Sequence, residues 1–243
     1  SNDPSFELNP NLGKSINLDA FPALVSISKF NKVKKFIYAS SSSVYGIKSE
    51  PNVNEDMTLE PLTDYSKFKA DCEKILNESK TNEFKVATIR PATVCGFSPR
   101  QRLDVIVNIL TNFAFFKKEI SVFGGDQLRP NVHILDMVRS YEHLLMTDFS
   151  KINGEIFNVG FENVSVNNLA NTVKEVLGGD IAIKKIPTND NRSYHISSDK
   201  IKKVLNFETK FSIRSAVIDL KNAFKNEILT NTFDNIKYYN IKV

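Results

Sequence analysis

The chain has 243 residues, 41% hydrophobic and 25% charged, with a net charge of +4, ordinary values for a globular protein with a sizeable core in one or two domains. Its basic residues are scattered among acids and form no block with interleaved aromatics, which argues against a nucleic-acid partner. No apolar run reaches the roughly 20 residues of a membrane-spanning helix, and no signal peptide is visible.

The two cysteines, Cys72 and Cys95, lie far apart and fit no metal-ligand spacing, which points to a reduced, cytoplasmic protein. The chain starts at Ser1, and its opening, SNDPSFELNPNLGKSINLDAF, reads as the middle of a longer segment. Residues 16–30 predict a helix, although Pro22 lies within its first turns. KFIYA (35–39) is a short apolar run after basic residues and before serines, so it reads as a buried parallel strand. A polar loop follows over 46–63. Asp64 is a candidate cap for a helix through YSKFKADCEKILNES, on which Asp71 and Glu73 read as a solvated face.

KVATIRP is a second buried strand, ATVCGFSPR a loop, and 102–117 a helix. ISVFG is a strand, GGDQLRP a loop, and VHILDMVRSYEHLLM starts extended and becomes helical. EIFNVG is a strand. Ser165 opens the helix SVNNLANTVKEVLG, which stops at Gly178 and Gly179. IAIKKIP is a strand, SDKIKKVLNF a short helix, and SIRSAVIDLKNAFKN a closing amphipathic helix. Strands alternating with helices argue for an α/β fold, a parallel sheet covered by helices on both faces.

Tyr65 and Lys69 are four apart on a predicted helix and share one face. An ammonium beside a phenol favours the phenolate, which is a general base. The spacing alone also describes a solvated helix face with a tyrosine packed beneath it. Tyr238 and Lys242 have the same spacing and are assigned no role. The context of Tyr65 is richer, because the first strand runs into Ser40-Ser41-Ser42-Ser43-Val44-Tyr45-Gly46. The carboxyl ends of parallel strands line ligand crevices. A serine there can donate to a substrate oxygen while the tyrosine takes its proton. His133, His143 and His195 share no metal-ligand spacing, and His133 reads as packing.

The runs KKFIYASSSSVYG, YSKFK, TIRPATVCGFSPRQR and FGGDQLRPNVHILDM, in this order and spacing, resemble the extended short-chain dehydrogenase/reductase family, to which sugar-nucleotide 4-epimerases belong. The resemblance implies NAD rather than NADP and a nucleoside-diphosphate sugar as substrate. It implies a catalytic set of Ser41, Tyr65 and Lys69. Tyr65 would remove the proton from the sugar C4 hydroxyl, Ser41 would hydrogen-bond the reacting oxygen, and Lys69 would stabilise the phenolate and hold the nicotinamide ribose. Asn17, Ser40 and Pro91 match further cofactor positions. Thr93, Arg102, Arg129 and Arg192 match substrate positions, and a guanidinium suits a diphosphate because it binds in two-pronged fashion. A surface salt bridge is the other reading of Arg129 and Arg192, and Arg100 and Arg102 could equally cap or flank the following helix.

Four departures qualify the resemblance. Thr93 stands where many relatives carry asparagine, and Pro187 where many carry arginine, so sugar and base specificity stay open. Ser42 and Ser43 stand where sugar dehydratases carry an Asp-Glu pair, so dehydration is not expected. None of the nine glycines forms the G-x-x-G-x-x-G turn that receives a dinucleotide. The expected fold is therefore a partial Rossmann-type doubly wound parallel sheet, its first strands missing ahead of Ser1, with a smaller C-terminal α/β domain. Residues 1–97 plus about 130–160 would be the rest of the dinucleotide domain, and 98–129 plus 161–243 the nucleotide-sugar domain. The chain alone is expected to be inactive. Two alternatives stay open: a dehydrogenase or reductase that does not epimerise, and a truncated remnant without catalysis. A homodimer follows by family analogy.

Overall fold

Turn and capping residues cut the chain into short elements, and the computed structural model describes them for Phe6, residues 8–188 and residues 193–240. In order they are α1 (Pro10–Lys14), a π-helical turn (Ser15–Asp19), α2 (Phe21–Phe30), β1 (Lys35–Ala39), a 3-10 helix (Ser42–Tyr45), α3 (Asp64–Ser79), β2 (Lys85–Pro91) and β3 (Thr93–Cys95). Then come α4 (Ile106–Lys117), β4 (Glu119–Phe123), β5 (Leu128–His133), α5 (Ile134–Met146), β6 (Glu155–Val159) and β7 (Glu162–Ser165). After them come α6 (Val166–Leu177), β8 (Ala182–Ile186), α7 (Asp199–Leu205) and α8 (Ile213–Lys225), and short 3-10 turns lie at Phe149–Lys151 and Ile236–Tyr238. The fold is α/β with parallel sheets. It divides into two compact units: Ser1–Ala92, Arg139–Val159 and Ile196–Glu208; and Thr93–Val138, Gly160–His195 and Thr209–Val243.

In the first unit β1, β2 and β6 form a parallel sheet in that order. Ala39 lies opposite Ile89, and Pro91 opposite Val159, so all three strands end at the same edge. Phe21 and Val25 of α2 and Cys72 and Leu76 of α3 pack with Tyr38, Phe84 and Val86. Burying a side chain such as Leu76 contributes roughly 1.5–3 kcal/mol. Gly46 ends the 3-10 helix at φ 68°, where any side chain would run into the Glu60 backbone oxygen, so only glycine fits.

In the second unit β3, β5 and β7 form one sheet, with β3 parallel and β7 antiparallel to β5, while β4 and β8 pair in parallel. Helices α4, α6 and α8 meet over a core that includes Val107, Ile120, Leu169, Val173 and Val217.

Several elements differ from the sequence reading. The helix expected over 16–30 is broken: the π-turn and α2 replace it, and Pro22 stands in the first turn of α2, where it has no N–H to give to a preceding turn. Thr63 caps α3 in place of Asp64: its hydroxyl accepts from Ser66 N at 3.2 Å, and Ser66 Oγ accepts from Thr63 N at 3.1 Å. The segment read as the loop ATVCGFSPR holds β3, three residues being too few to show alternation. The helix expected from 102 begins at Ile106, because Asn108 turns back to bond the Arg102 carbonyl at 2.8 Å. The GGDQLRP loop gives way to β5 at Leu128, and β7 was not anticipated. Glu73 is not on a solvated face but buried, 6% exposed, against Arg90.

Candidate functional site

The carboxyl ends of β1 and β2 collect most of the sequence-nominated residues of the first unit. Ser40 follows the last residue of β1, its N–H bonded to the Ile89 carbonyl at 2.8 Å. Its hydroxyl is buried and has no hydrogen-bond partner among the described residues. Ser41 is the extended N-cap of the 3-10 helix, where its Oγ accepts from Ser43 N at 3.2 Å and lies 2.8 Å from Ser43 Oγ. Pro91 ends β2.

Tyr65 is in the first turn of α3 and Lys69 one turn on. The Lys69 ammonium donates to the Ala39 carbonyl at 2.8 Å and so reaches the end of β1. It lies 5.0 Å from the Tyr38 ring centre and 5.7 Å from that of Tyr65. Burial lowers the Lys69 pKa, and the Cys72 side chain and the Glu73 carboxylate pull it the other way. Phe6 meets the Tyr65 ring edge-on at 6.5 Å between centres. Asn17 lies in the π-turn, a distortion frequent at functional sites. Its side chain donates to the Gly13 carbonyl at 2.8 Å, and its carbonyl accepts the Cys72 thiol at 3.1 Å. The structure thus gathers Asn17, Ser40, Ser41, Tyr65, Lys69 and Pro91 around α3 and the strand ends of one unit.

A second layer beneath this set was missed by the sequence reading. Glu73, one turn beyond Lys69, accepts from Arg90 Nη2 at 2.6 Å and from Arg90 Nε at 3.0 Å. Arg90 Nη1 donates to the Tyr45 hydroxyl at 2.7 Å, and Tyr45 donates to Asn158 Oδ1 at 2.7 Å. Asn158 N donates to Glu55 Oε1 at 2.7 Å. Burial pushes the Tyr45 phenol up to about 12 against the pull of Arg90, so it stays a donor. Burial also works against the Arg90 charge, but Glu73 and Tyr45 outweigh it and hold the guanidinium protonated. The available signal was Arg90 itself, a cation inside the apolar run KVATIRP, which requires a buried counter-charge.

In the second unit Thr93 opens β3 opposite Asn131. Arg102 bonds Asp104 at 2.9 Å, and Arg100 is exposed. Arg129 sits in β5, bonded to the Leu128 carbonyl at 2.9 Å, with its guanidinium 5.5 Å from the Tyr194 ring centre. Arg192 lies outside the described residues. His133 packs against Phe211, rings stacked at 4.9 Å, with Nε2 3.3 Å from Asp219. Among the described residues no group of three or more His, Cys, Asp or Glu is placed to hold a metal, and no helix is long and apolar enough to cross a membrane. A cavity of about 810 Å³, lined by Lys29, Lys32, Lys34, Phe84 and Lys85 among others, contains none of the nominated residues.

A family model described as the NAD dependent epimerase/dehydratase family matches residues 3–160. An uncharacterised UDP-glucose epimerase of Bacillus subtilis is 30% identical over 165 residues, 67% of this chain and 51% of that protein. The chain spans about half the length of such curated relatives. The crystal structure of the UDP-glucose 4-epimerase of Thermotoga maritima with UDP-glucose superposes with a TM-score of 0.81 at 26% identity, covering 91% of this chain and 73% of that one. The UDP-glucuronic acid 4-epimerase of Bacillus cereus, in complex with UDP-glucuronic acid and NAD, gives 0.76 at 25% identity over 87% and 68%.

Proposed function

Because the chain belongs to the NAD-dependent epimerase/dehydratase family, we propose that the protein epimerises a nucleoside-diphosphate sugar at C4. The observation that carries this reading is Lys69: one turn from Tyr65 on α3, it is bonded to the last carbonyl of the strand that leads into Ser41. Asn17, Ser40, Lys69 and Pro91 fit a dinucleotide, and the buried Ser40 hydroxyl, unpartnered among the described residues, is a donor awaiting an acceptor. NAD supplies hydride acceptance from the sugar carbon and hydride return to it.

The rest belongs to the chain. Tyr65, as phenolate beside the Lys69 ammonium, takes the C4 hydroxyl proton and later gives it back, so one group is base and then acid. Ser41 donates to the same oxygen. Lys69 keeps the phenolate accessible and holds the ribose. Arg129, Arg102 and Arg192, with Thr93, take the diphosphate and sugar. Ser42 and Ser43 offer neither a strong acid nor a ready base, so dehydration is not part of the proposal. The relatives' substrates, UDP-glucose and UDP-glucuronic acid, support a UDP-sugar. The two buried, unpaired thiols fit a reducing, cytoplasmic setting.

The test is Tyr65→Phe in the full-length protein. Turnover of UDP-sugars should fall by about a hundredfold or more, with the melting temperature nearly unchanged because the ring packing is kept. Near-normal turnover would end the assignment.

A further inference from the structure

The buried pair of Glu73 and Arg90 has a cost that its contacts to solvent do not relieve: the side chains are 5% and 3% exposed. Taking two charges out of water consumes most of what their attraction returns, so such a pair is weak evidence for stability. What the pair does fix is geometry. Glu73 stands four residues after Lys69 and eight after Tyr65 on α3, so all three share one helical stripe. Arg90 immediately precedes Pro91 at the end of β2. Tyr45 closes the 3-10 helix that Ser41 caps, and its ring lies 4.8 Å under the Arg90 guanidinium. Asn158, next to last in β6, accepts the hydrogen bond of the Tyr45 hydroxyl, and its Nδ2 reaches the Ser197 carbonyl at 3.0 Å and the Val53 carbonyl at 3.3 Å. One guanidinium thus ties the helix that bears Tyr65 and Lys69, the turn that bears Ser41, and the strand end that bears Pro91.

We infer that Glu73, Arg90, Tyr45 and Asn158 are positioning residues, a buried clamp that sets the distance between the Tyr65–Lys69 helix and the Ser41 turn. The inference rests on the catalytic reading above and deepens it. A fully satisfied polar network in a low-dielectric interior specifies one arrangement, because every slip leaves a buried donor or acceptor unpaired. Apolar packing tolerates small slips. Misplacement by about 1 Å costs an enzyme on the order of a hundredfold, so a clamp of this kind acts on turnover more than on substrate affinity. Glu73 has a second effect. Its carboxylate opposes the loss of the Lys69 proton that burial promotes. Without that charge Lys69 deprotonates at lower pH.

The test compares Glu73→Gln, Glu73→Asp, Tyr45→Phe and Tyr65→Phe in the full-length protein with NAD and UDP-sugar. In Glu73→Gln, kcat should fall by roughly 10- to 100-fold with KM within about threefold, and the alkaline limb of the kcat profile should move to lower pH. Glu73→Asp keeps the charge and shortens the reach, so the limb should return towards wild type while kcat stays low. Tyr45→Phe removes only the hydroxyl between Arg90 and Asn158. It should fold, and kcat should fall severalfold with the limb in place. If Glu73→Gln does not fold, Tyr45→Phe decides. Wild-type kcat in either folded variant, with Tyr65→Phe inactive, overturns the clamp and leaves the catalytic assignment standing. Full turnover in Tyr65→Phe overturns the assignment itself.

Discussion

Around α6 the interior is aliphatic: Leu169, Ala170 and Val173 pack with Val107, Ile120 and Val217, all 0% exposed. Around the middle of α3 a carboxylate, a guanidinium, a phenol and a carboxamide are buried almost as deeply. The first interior needs only shape and tolerates exchange among similar apolar residues. The second needs each partner aimed at the next, since a buried polar group without one costs about twice what a hydrogen bond returns. One region is built to be stable, and the other to be specific.

The sharpest way to break that contrast is Arg90→Met. It leaves the Glu73 carboxylate buried with no counter-charge, and breaking such a pair costs about 3–5 kcal/mol. The urea midpoint should fall accordingly at constant slope. Arg90→Met combined with Glu73→Leu removes both charges, and stability should return to within about 1 kcal/mol of wild type, because apolar replacement of a whole buried pair is commonly neutral. A double variant as unstable as the single one would mean that the pair itself stabilises the fold.

The same contrast explains what was legible in the sequence. β1, β2 and β6 read correctly because KFIYA, KVATIRP and EIFNVG are short apolar runs between turns, and α6 because its apolar spacing lies between a serine and a glycine. Tyr65 and Lys69 were visible as a spacing, and Ser41 as part of a serine run at a strand end. Glu73 was not, because helical periodicity places a carboxylate outside unless its partner is known, and that partner is Arg90, 17 residues away in sequence. β3 and β7 escaped because three or four residues show no period. The π-turn escaped because its five residues carry no pattern that separates it from the helix that follows.

A smaller effect is expected from Leu169→Ala in the apolar region. Leu169 is fully buried, and its truncation removes about 2–5 kcal/mol through lost transfer energy and the cavity left behind. Leu169→Met, which keeps the volume, should cost under about 1.5 kcal/mol. Conservative exchange is then tolerated at Leu169 in folding. At Glu73, where Glu73→Asp is equally conservative, it should not be tolerated in turnover. Equal tolerance at both sites, read as kcat and urea midpoint side by side, would erase the distinction.

The smallest effect lies at the boundary of the apolar region, where α6 begins. Ser165 is its N-cap, in extended conformation, with Oγ accepting from Asn168 N at 3.2 Å. That bond satisfies one of the N–H groups that the first turn of a helix leaves open. Ser165 also ends β7 opposite Leu128, but that pairing uses the backbone and survives any side-chain change. Ser165→Ala therefore removes the cap alone, at about 1 kcal/mol, while Ser165→Asp keeps an acceptor in place and adds a charge favourable to the helix N-terminus. Urea unfolding should rank Ser165→Asp at or above wild type and Ser165→Ala below it. If Ser165→Ala unfolds with the wild-type midpoint, the start of α6 is fixed by the packing of Val166 and Leu169 rather than by its cap, and the apolar region owes nothing to polar geometry even at its edge.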